Sequence, residues 1–240
     1  MKPFTEIQPK DNTIEQHAVM AALLAKYAIS EFGDDGRDAF VSGITRMGIE
    51  RGTRMAARAI LRGDRLDYVN YQAYGEWKPQ PGQMDFAVVE TQPETVTVAR
   101  KCAWNEAWKK HGLEEYGKYY CVTVDDAIAR GFWPDLRCDT HSNLSWGASQ
   151  CEFHWGVPMS EEDLKRLNDK KAELGDTCVR DFNYHVGHVL CSIGDELRQR
   201  LGKEAGDRIV DSAVKEFAET FGGEYVAAFE DAYPGDPNRL

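Results

Sequence analysis

The chain of 240 residues carries 29 Lys and Arg against 40 Asp and Glu, a formal net charge of −11, and 42% of its residues are hydrophobic. These values are typical of a globular protein, and the length predicts one domain or two closely packed halves. The negative charge repels phosphate backbones, and no basic run is longer than Lys109-Lys110, so we expect no nucleic-acid partner. The longest apolar run, 18–24, is much shorter than the about 20 residues of a membrane span, and we expect no membrane association.

The N-terminus and the cysteines indicate the compartment. Met1 to Glu6 contain no charged-then-apolar signal segment, so a cytoplasmic location is expected. Without an export signal, the six cysteines are expected to be reduced thiols, available for packing, metal binding or nucleophilic chemistry. They occupy positions 102, 121, 138, 151, 178 and 191. No C-x2-C pair occurs among them, which argues against a zinc ribbon.

The first third of the chain has helical periodicity. Apolar residues at helical spacing predict a helix from Thr13 to Tyr27, which Gly33 ends, and a second helix from about Arg37 to Leu61. Gly48 and Gly52 lie inside the second helix, where each costs about 1 kcal/mol relative to alanine. A kink or a close approach of two backbones is the expected reason for them.

The middle of the chain changes to strand patterns. Two β-rich runs, 86–89 and 96–99, flank Gln92-Pro93-Glu94 and predict a hairpin. Two more strands are predicted at about Arg137–Trp146 and Cys151–Val157. Between the two strand pairs, helical stretches are predicted at 103–111 and 114–130.

Helical patterns return in the last third. Ser160 begins a segment that resembles a capping box, and helices are predicted at about 181–201, 206–221 and 224–232. The prediction is an α+β fold in which N- and C-terminal helical hairpins pack around a small antiparallel sheet of about four strands. It forms a single domain, 1–240, with helical residues 13–66, a β-containing middle 83–158 and helical residues 160–232.

One late helix carries a spacing that suits chemistry. Asp181, His185 and His188 lie at positions i, i+4 and i+7, so a carboxylate and two imidazoles share one helix face. This is a ligand set for a divalent transition metal, or an orienting carboxylate with a general acid or base. The alternative is a helix cap at Asp181, followed by two histidines that bond to neighbouring side chains.

A second group combines thiols with acid–base residues. A cysteine becomes a useful nucleophile only where its pKa is lowered. Asp125 lies one turn after Cys121 and opposes ionisation of that thiol. Cys151 and His154 are three residues apart on a predicted strand, so they would face opposite sides of the sheet. For each cysteine the alternative is a small buried apolar residue.

Further polar and aromatic residues could line a pocket. Strand alternation places Asp139, His141 and Asn143 on one face, and the aromatic segment from Tyr68 to Trp77 could form a pocket wall or simply core. Helix-surface arginines are usually solvated, but those of the second helix could bind a substrate carboxylate. These are Arg46, Arg51, Arg54 and Arg58.

Several short motifs follow one another in a recognisable order. They are 98–104 around Cys102, Tyr120-Cys121 with Asp125, 131–136, 144–153 around Cys151, and also 32–33, 48–52 and 185–188. Over roughly residues 14 to 230, this order resembles the L-2-amino-thiazoline-4-carboxylic acid hydrolase-like family. The resemblance implies hydrolytic opening of a small five-membered C=N ring that bears a carboxylate. The residues that match the family pattern are Cys102, Cys121, Asp125, Cys151 and His188.

The sequence thus predicts a hydrolase that opens a small cyclic substrate, at the C–N bond of a cyclic amide, amidine or thiazoline-type ring. The candidate catalytic residues are Cys121, Asp125, Cys151, His185 and His188. The candidate substrate-binding residues are Cys102, His141, His154 and Trp155.

Two mechanisms stay open. In the first, Asp181, His185 and His188 bind a divalent metal such as zinc or manganese, or position water, while Asp125 acts as acid or base. In the second, Cys121 or Cys151 is a covalent nucleophile. No nucleotide cofactor is expected, because the sequence has no Gly-rich phosphate-binding motif. The alternative functions are a non-catalytic small-molecule-binding or sensor protein, and an interaction protein that forms a homo-oligomer.

Overall fold

A computed structural model describes residues 10–232, so the N-terminal segment used to infer the compartment lies outside the described residues. The elements in chain order are α1 (Ile14–Leu61), α2 (Tyr68–Ala73), β1 (Met84–Glu90), β2 (Val96–Cys102), α3 (Ala103–His111), α4 (Glu114–Gly117), α5 (Val124–Phe132), β3 (Asp139–Ser142), β4 (Cys151–His154), α6 (Glu161–Leu174), α7 (Phe182–Leu201), α8 (Lys203–Phe221) and α9 (Gly223–Ala232). Helices at both ends and one four-stranded antiparallel sheet confirm the predicted α+β class. In this part of the chain, no helix combines the length and apolarity needed to cross a bilayer.

The chain divides into two compact units. The helical unit comprises residues 10–47, 104–122 and 181–232, and the sheet unit comprises Gly48–Ala103 and Thr123–Arg180. Each has its own buried apolar residues. The expectation that they constitute a single domain stays a prediction.

In the helical unit, glycines mark the places where backbones come close. Gly33 has a non-helical φ of 56° and ψ of −127°, which confirms that the first predicted helix ends there. A Cβ on Gly43 would lie 2.9 Å from the Cα of Ile193, so α1 and α7 pack closely at this point. Beside it, the hydroxyl of Ser42 donates to Glu196 Oε1 at 2.7 Å.

The predicted helical stretch over 114–130 is interrupted. It consists of α4, a 3-10 turn at Tyr120–Val122, and α5. Gly117 ends α4 where a Cβ would lie 2.2 Å from the Trp108 ring, and glycine is a poor helix former. Trp108 itself is fully buried and donates its indole N–H to the carbonyl of Ala18 at 2.9 Å. The helix is therefore interrupted at Gly117, where the Trp108 ring packs against the backbone.

The sheet of the sheet unit has the strand order β1-β2-β4-β3, with every neighbouring pair antiparallel. The hairpin predicted around Gln92-Pro93-Glu94 is confirmed as β1 and β2. Along β4, Cys151 and Phe153 are buried, whereas Glu152 and His154 are partly exposed. The face with Cys151 and Phe153 therefore packs on the core, which includes residues of α2, α5 and α6, and the opposite face of β4 is partly exposed.

Two small-residue contacts set the position of the second half of α1. A Cβ on Gly52 would lie 2.1 Å from the carbonyl oxygen of Ile128, and one on Gly48 would lie 2.6 Å from the Cβ of Ala127. The expected close approach of two backbones is therefore confirmed, and its partner is α5. The contact between α1 and α5 also brings α1 close to the first turn of α5, which carries Asp125.

Candidate active site

Three arginines of α1 surround one buried carboxylate in the sheet unit. Arg51, Arg54 and Arg58 are spaced by three and four residues, so they share one helix face. Arg54 donates from Nε and Nη2 to the two carboxylate oxygens of Glu76 at 3.0 and 2.8 Å, and neither side chain is exposed. Arg58 adds a bond from Nη1 to Glu76 Oε1 at 2.6 Å. A single negative charge thus faces three positive charges.

Arg51 is the least satisfied member of this cluster. It is 8% exposed, and its Nε lies 3.8 Å from Glu76 Oε2, beyond hydrogen-bond distance. Within residues 10–232, this buried Nε has no hydrogen-bond partner. An unsatisfied buried donor is costly, and a guanidinium binds carboxylates strongly. A carboxylate ligand is therefore the chemistry that Arg51 would accept.

Asp125, on α5, is the titratable neighbour of Arg51. Burial raises the pKa of its carboxyl to about 6, against the lowering effect of Arg51 and with a further increase from Asp126. The neighbouring Asp126 has direct partners: its carboxylate pairs with Arg130 Nε at 2.7 Å and accepts the backbone N–H of Cys138 at 3.2 Å. Asp125 can thus exchange a proton near neutral pH, as a general acid or base requires.

The surroundings of Asp125 are aromatic and contain thiols. Burial raises the pKa of Tyr71 well above its usual value, and the charges of Asp125 and Arg51 also act on this phenol. Its ring packs against Trp155, with centroids 5.5 Å apart. Burial likewise raises the pKa of Cys138 well above its ordinary value. Tyr71 and Cys138 are therefore neutral at physiological pH.

Cys151 is also held in its thiol form. Burial raises its pKa to about 11, although the backbone N–H of Leu144 donates to its Sγ at 3.4 Å. Cys102 and Asp125 are both close enough to raise this pKa further. Cys102, Asp125 and Cys151 thus belong to the sheet unit, where the first two act on the pKa of the third, whereas Cys121 belongs to the helical unit.

The histidine-bearing helix α7 lies in the helical unit. Asp181 is its N-cap and accepts the backbone N–H of Tyr184 at 2.8 Å. His185 and His188 are buried, with 4% and 1% exposure. Sequence reasoning missed His17, whose ring centroid lies 6.4 Å from that of His185 and whose Nδ1 accepts the indole N–H of Trp104 at 3.0 Å.

The remaining predicted site residues lie on the sheet. Trp155 is buried and donates its indole N–H to Thr97 Oγ1 at 2.9 Å. His141 and His154 lie with Glu152 on β3 and β4. In the described part of the chain, these three residues each offer one potential metal-ligand atom, and the three atoms all lie within 4.8 Å of one another. This group does not include the predicted metal ligands Asp181, His185 and His188. A metal held by those three residues stays a prediction.

Buried polar groups and carboxyls with a raised pKa cluster at functional sites. The family L-2-amino-thiazoline-4-carboxylic acid hydrolase matches residues 12–155, more than half of the chain. The chain belongs to this family, and the resemblance read from its motifs is confirmed. The match includes Arg51 and Asp125 but ends before α7. Among curated proteins and among solved structures, nothing matches the chain.

Proposed function

We propose that the chain is a hydrolase that opens a thiazoline-type ring bearing a carboxylate, and that its reaction site is the Arg51–Asp125 region of the sheet unit. The observation that carries the proposal is the buried Nε of Arg51, without a hydrogen-bond partner in the described residues, next to a carboxyl whose pKa is about 6. The family name supports it, because such a substrate carries one carboxylate on a small ring.

Arg51 binds the substrate carboxylate in this proposal. Glu76 bonds directly to Arg54 and Arg58 but lies 3.8 Å from Arg51 Nε, so this Nε is the donor that a substrate carboxylate would satisfy. A charge-assisted hydrogen bond of this kind is worth about 1.5–3 kcal/mol. Binding at the carboxylate would also hold the ring in one orientation, which lowers the entropic part of the barrier.

Asp125 moves the proton. In its ionised form it takes a proton from the water that attacks the ring carbon between the two heteroatoms. The hydroxyl stays on that carbon, the bond from the carbon to one ring heteroatom breaks, and Asp125 returns the proton to the departing heteroatom. The high pKa of Cys151, about 11, supports activated water over a cysteine nucleophile.

The test compares two substrates in two proteins. L-2-amino-thiazoline-4-carboxylate and its analogue without the carboxylate, 2-amino-thiazoline, are assayed with the unmodified chain and with Arg51→Met. We expect the unmodified chain to prefer the carboxylate by about 10–150-fold in kcat/KM, the equivalent of 1.5–3 kcal/mol. In Arg51→Met this preference should fall towards unity. Product analysis shows which ring bond has broken.

Matched controls separate the outcomes. Arg46→Met removes an arginine that pairs with the half-exposed Asp195, and it should keep the substrate preference. Asp125→Asn should lose activity by about 10²–10⁴-fold, whereas Cys151→Ser should stay active. A preference that survives in Arg51→Met would contradict the proposed role. Ligand-induced stabilisation without turnover would instead identify a binding protein.

A further inference from the structure

A group of imidazoles and carboxylates lies on the strand pair β3–β4 of the sheet unit, on the side of β4 opposite the buried Cys151 and Phe153. The Nε2 of His154 lies 3.1 Å from Glu152 Oε1, and the ligand atoms of His141, Glu152 and His154 all lie within 4.8 Å of one another. The two histidine rings stack, with centroids 3.7 Å apart and planes 17° from parallel.

A bulge in β3 explains why His141 joins this group. Thr140 pairs with Phe153 and Ser142 pairs with Glu152, so His141 is an extra residue between two paired positions. Bulges re-aim side chains and are frequent near functional sites. Glu152 and His154 are two apart on β4 and therefore face the same side. Three potential ligands from two strands thus meet on one face.

Glu94 provides the support that metal-binding histidines usually have. Its Oε1 lies 2.9 Å from His154 Nδ1, and its Oε2 accepts the backbone N–H of Gly156 at 3.0 Å. A ligating histidine commonly donates its second ring N–H to a carboxylate, which fixes the tautomer and the ring orientation. If the Nδ1–H of His154 is donated to Glu94, the neutral ring has its lone pair on Nε2. This lone pair lies on the side of Glu152 and is available to a metal.

We propose that His141, Glu152 and His154 bind a divalent transition metal of the zinc class, with Glu94 orienting His154. Ligands about 2.0–2.1 Å from a tetrahedral ion lie about 3.3 Å apart, close to the 3.1 Å between His154 Nε2 and Glu152 Oε1. His141 is exposed and can turn out of the ring stack to supply the third bond. Water or another small ligand completes the coordination, as in zinc sites with three protein ligands.

The metal would fasten β3 to β4. β3 is one of the two edge strands of the sheet and has four residues, so ladder hydrogen bonds hold it on one side only. Cys151 and Phe153 of β4 face the core, and the metal ligands face the opposite way. The proposed metal therefore does not contact the thiol at Cys151, and this inference does not rest on the proposed hydrolysis.

The test is a Co²⁺ titration of the metal-depleted chain, followed by visible absorption and by Zn²⁺ competition. We expect one ion per chain, d–d bands of a nitrogen–oxygen site, and no thiolate-to-cobalt charge-transfer band. His141→Ala and Glu152→Gln should each weaken binding by more than about tenfold, and Glu94→Gln by about 10–100-fold. Bound metal should raise the melting temperature of the unmodified chain.

A control comes from another histidine–carboxylate pair. The Nε2 of His111 lies 2.7 Å from Glu15 Oε1 in the helical unit, and His111→Ala should leave Co²⁺ affinity unchanged. The melting temperature in chelator shows that each variant is folded. A thiolate charge-transfer band, or equal Co²⁺ affinity in the unmodified chain, His141→Ala and Glu152→Gln, would overturn the proposal. So would an absence of Co²⁺ binding, which would leave His154 as an imidazolium between Glu94 and Glu152.

Discussion

Arg54 and Glu76 form a fully buried bidentate ion pair, with N···O distances of 3.0 and 2.8 Å. The same carboxylate also accepts from Arg58 at 2.6 Å. Glu76 is therefore the counter-ion on which the burial of this arginine cluster depends, and the cluster in turn holds the second half of α1 against the segment that follows α2.

Glu76→Gln tests this dependence. Removal of one partner of a buried ion pair costs about 3–5 kcal/mol, and this variant leaves several guanidiniums without their carboxylate. We expect a loss of that size in the free energy of unfolding, measured with urea. Asp176→Asn is the control, because Asp176 is 83% exposed and pairs with Lys78 on the surface. A loss in Glu76→Gln no larger than in Asp176→Asn would contradict the prediction.

The raised pKa of Asp125 predicts a pH dependence of stability. The folded chain holds this proton to about pH 6, whereas an ordinary Asp loses it at 3.8. Because the folded state binds more protons between these values, stability should fall as the pH rises from about 4 to 7, by about 3 kcal/mol for two pKa units. Urea unfolding of Asp125→Asn should lack this component and show greater stability at pH 7. Lower stability of Asp125→Asn than of the unmodified chain at pH 7 would refute it.

The contact between α1 and α5 should not tolerate a side chain at Gly52. In Gly52→Ala the new Cβ would lie 2.1 Å from the carbonyl oxygen of Ile128, a backbone atom that cannot move alone. Overpacking of this kind costs about 1–3 kcal/mol or more. In Gly223→Ala the new Cβ has nothing within 4 Å, so this control should change little. The two melting temperatures provide the comparison, and equal values would contradict the close approach.

Asp181 offers a test that separates capping from metal binding. Loss of an N-cap side chain costs about 0.5–2 kcal/mol, and serine is nearly as good a cap as aspartate. Asp181→Ala should therefore be destabilised by that amount, and Asp181→Ser should recover most of it. Unfolding in the presence of chelator measures the capping alone. If Asp181→Ser were as unstable as Asp181→Ala, the hydrogen bond to Tyr184 would not be the stabilising contact.

Local sequence signals predicted much of the fold. Gly33 marked a helix end, and Gly48 and Gly52 marked a close backbone approach, because glycine is costly in a helix unless packing requires it. The capping box at Ser160 is present, with Asp163 as its partner. Each of these signals depends on residues a few positions apart, so periodicity and residue propensity were sufficient to predict these features.

The candidate site was less predictable. Arg51 could be named as a carboxylate ligand, but Glu76, the counter-ion of the neighbouring Arg54 and Arg58, lies 25 positions after Arg51 in a connector with no local pairing signal. His141 was expected on one face with Asn143, but the bulge shifts the pairing after Thr140. Asn143 is buried and caps the following turn by accepting the N–H of Ser145 at 2.8 Å. Such bulges and long-range ion pairs follow from tertiary packing, which period-two alternation does not encode.

The register of β4 has a consequence for how this protein can change. Because its side chains alternate between the two sheet faces, a shift of one position would exchange Cys151 and Phe153 with Glu152 and His154. Such a shift would therefore bury two ionisable groups and expose a thiol and a phenyl ring to water. We therefore expect an insertion or deletion within β4 itself to be far less tolerated than a substitution of its partly exposed residues, Glu152 and His154.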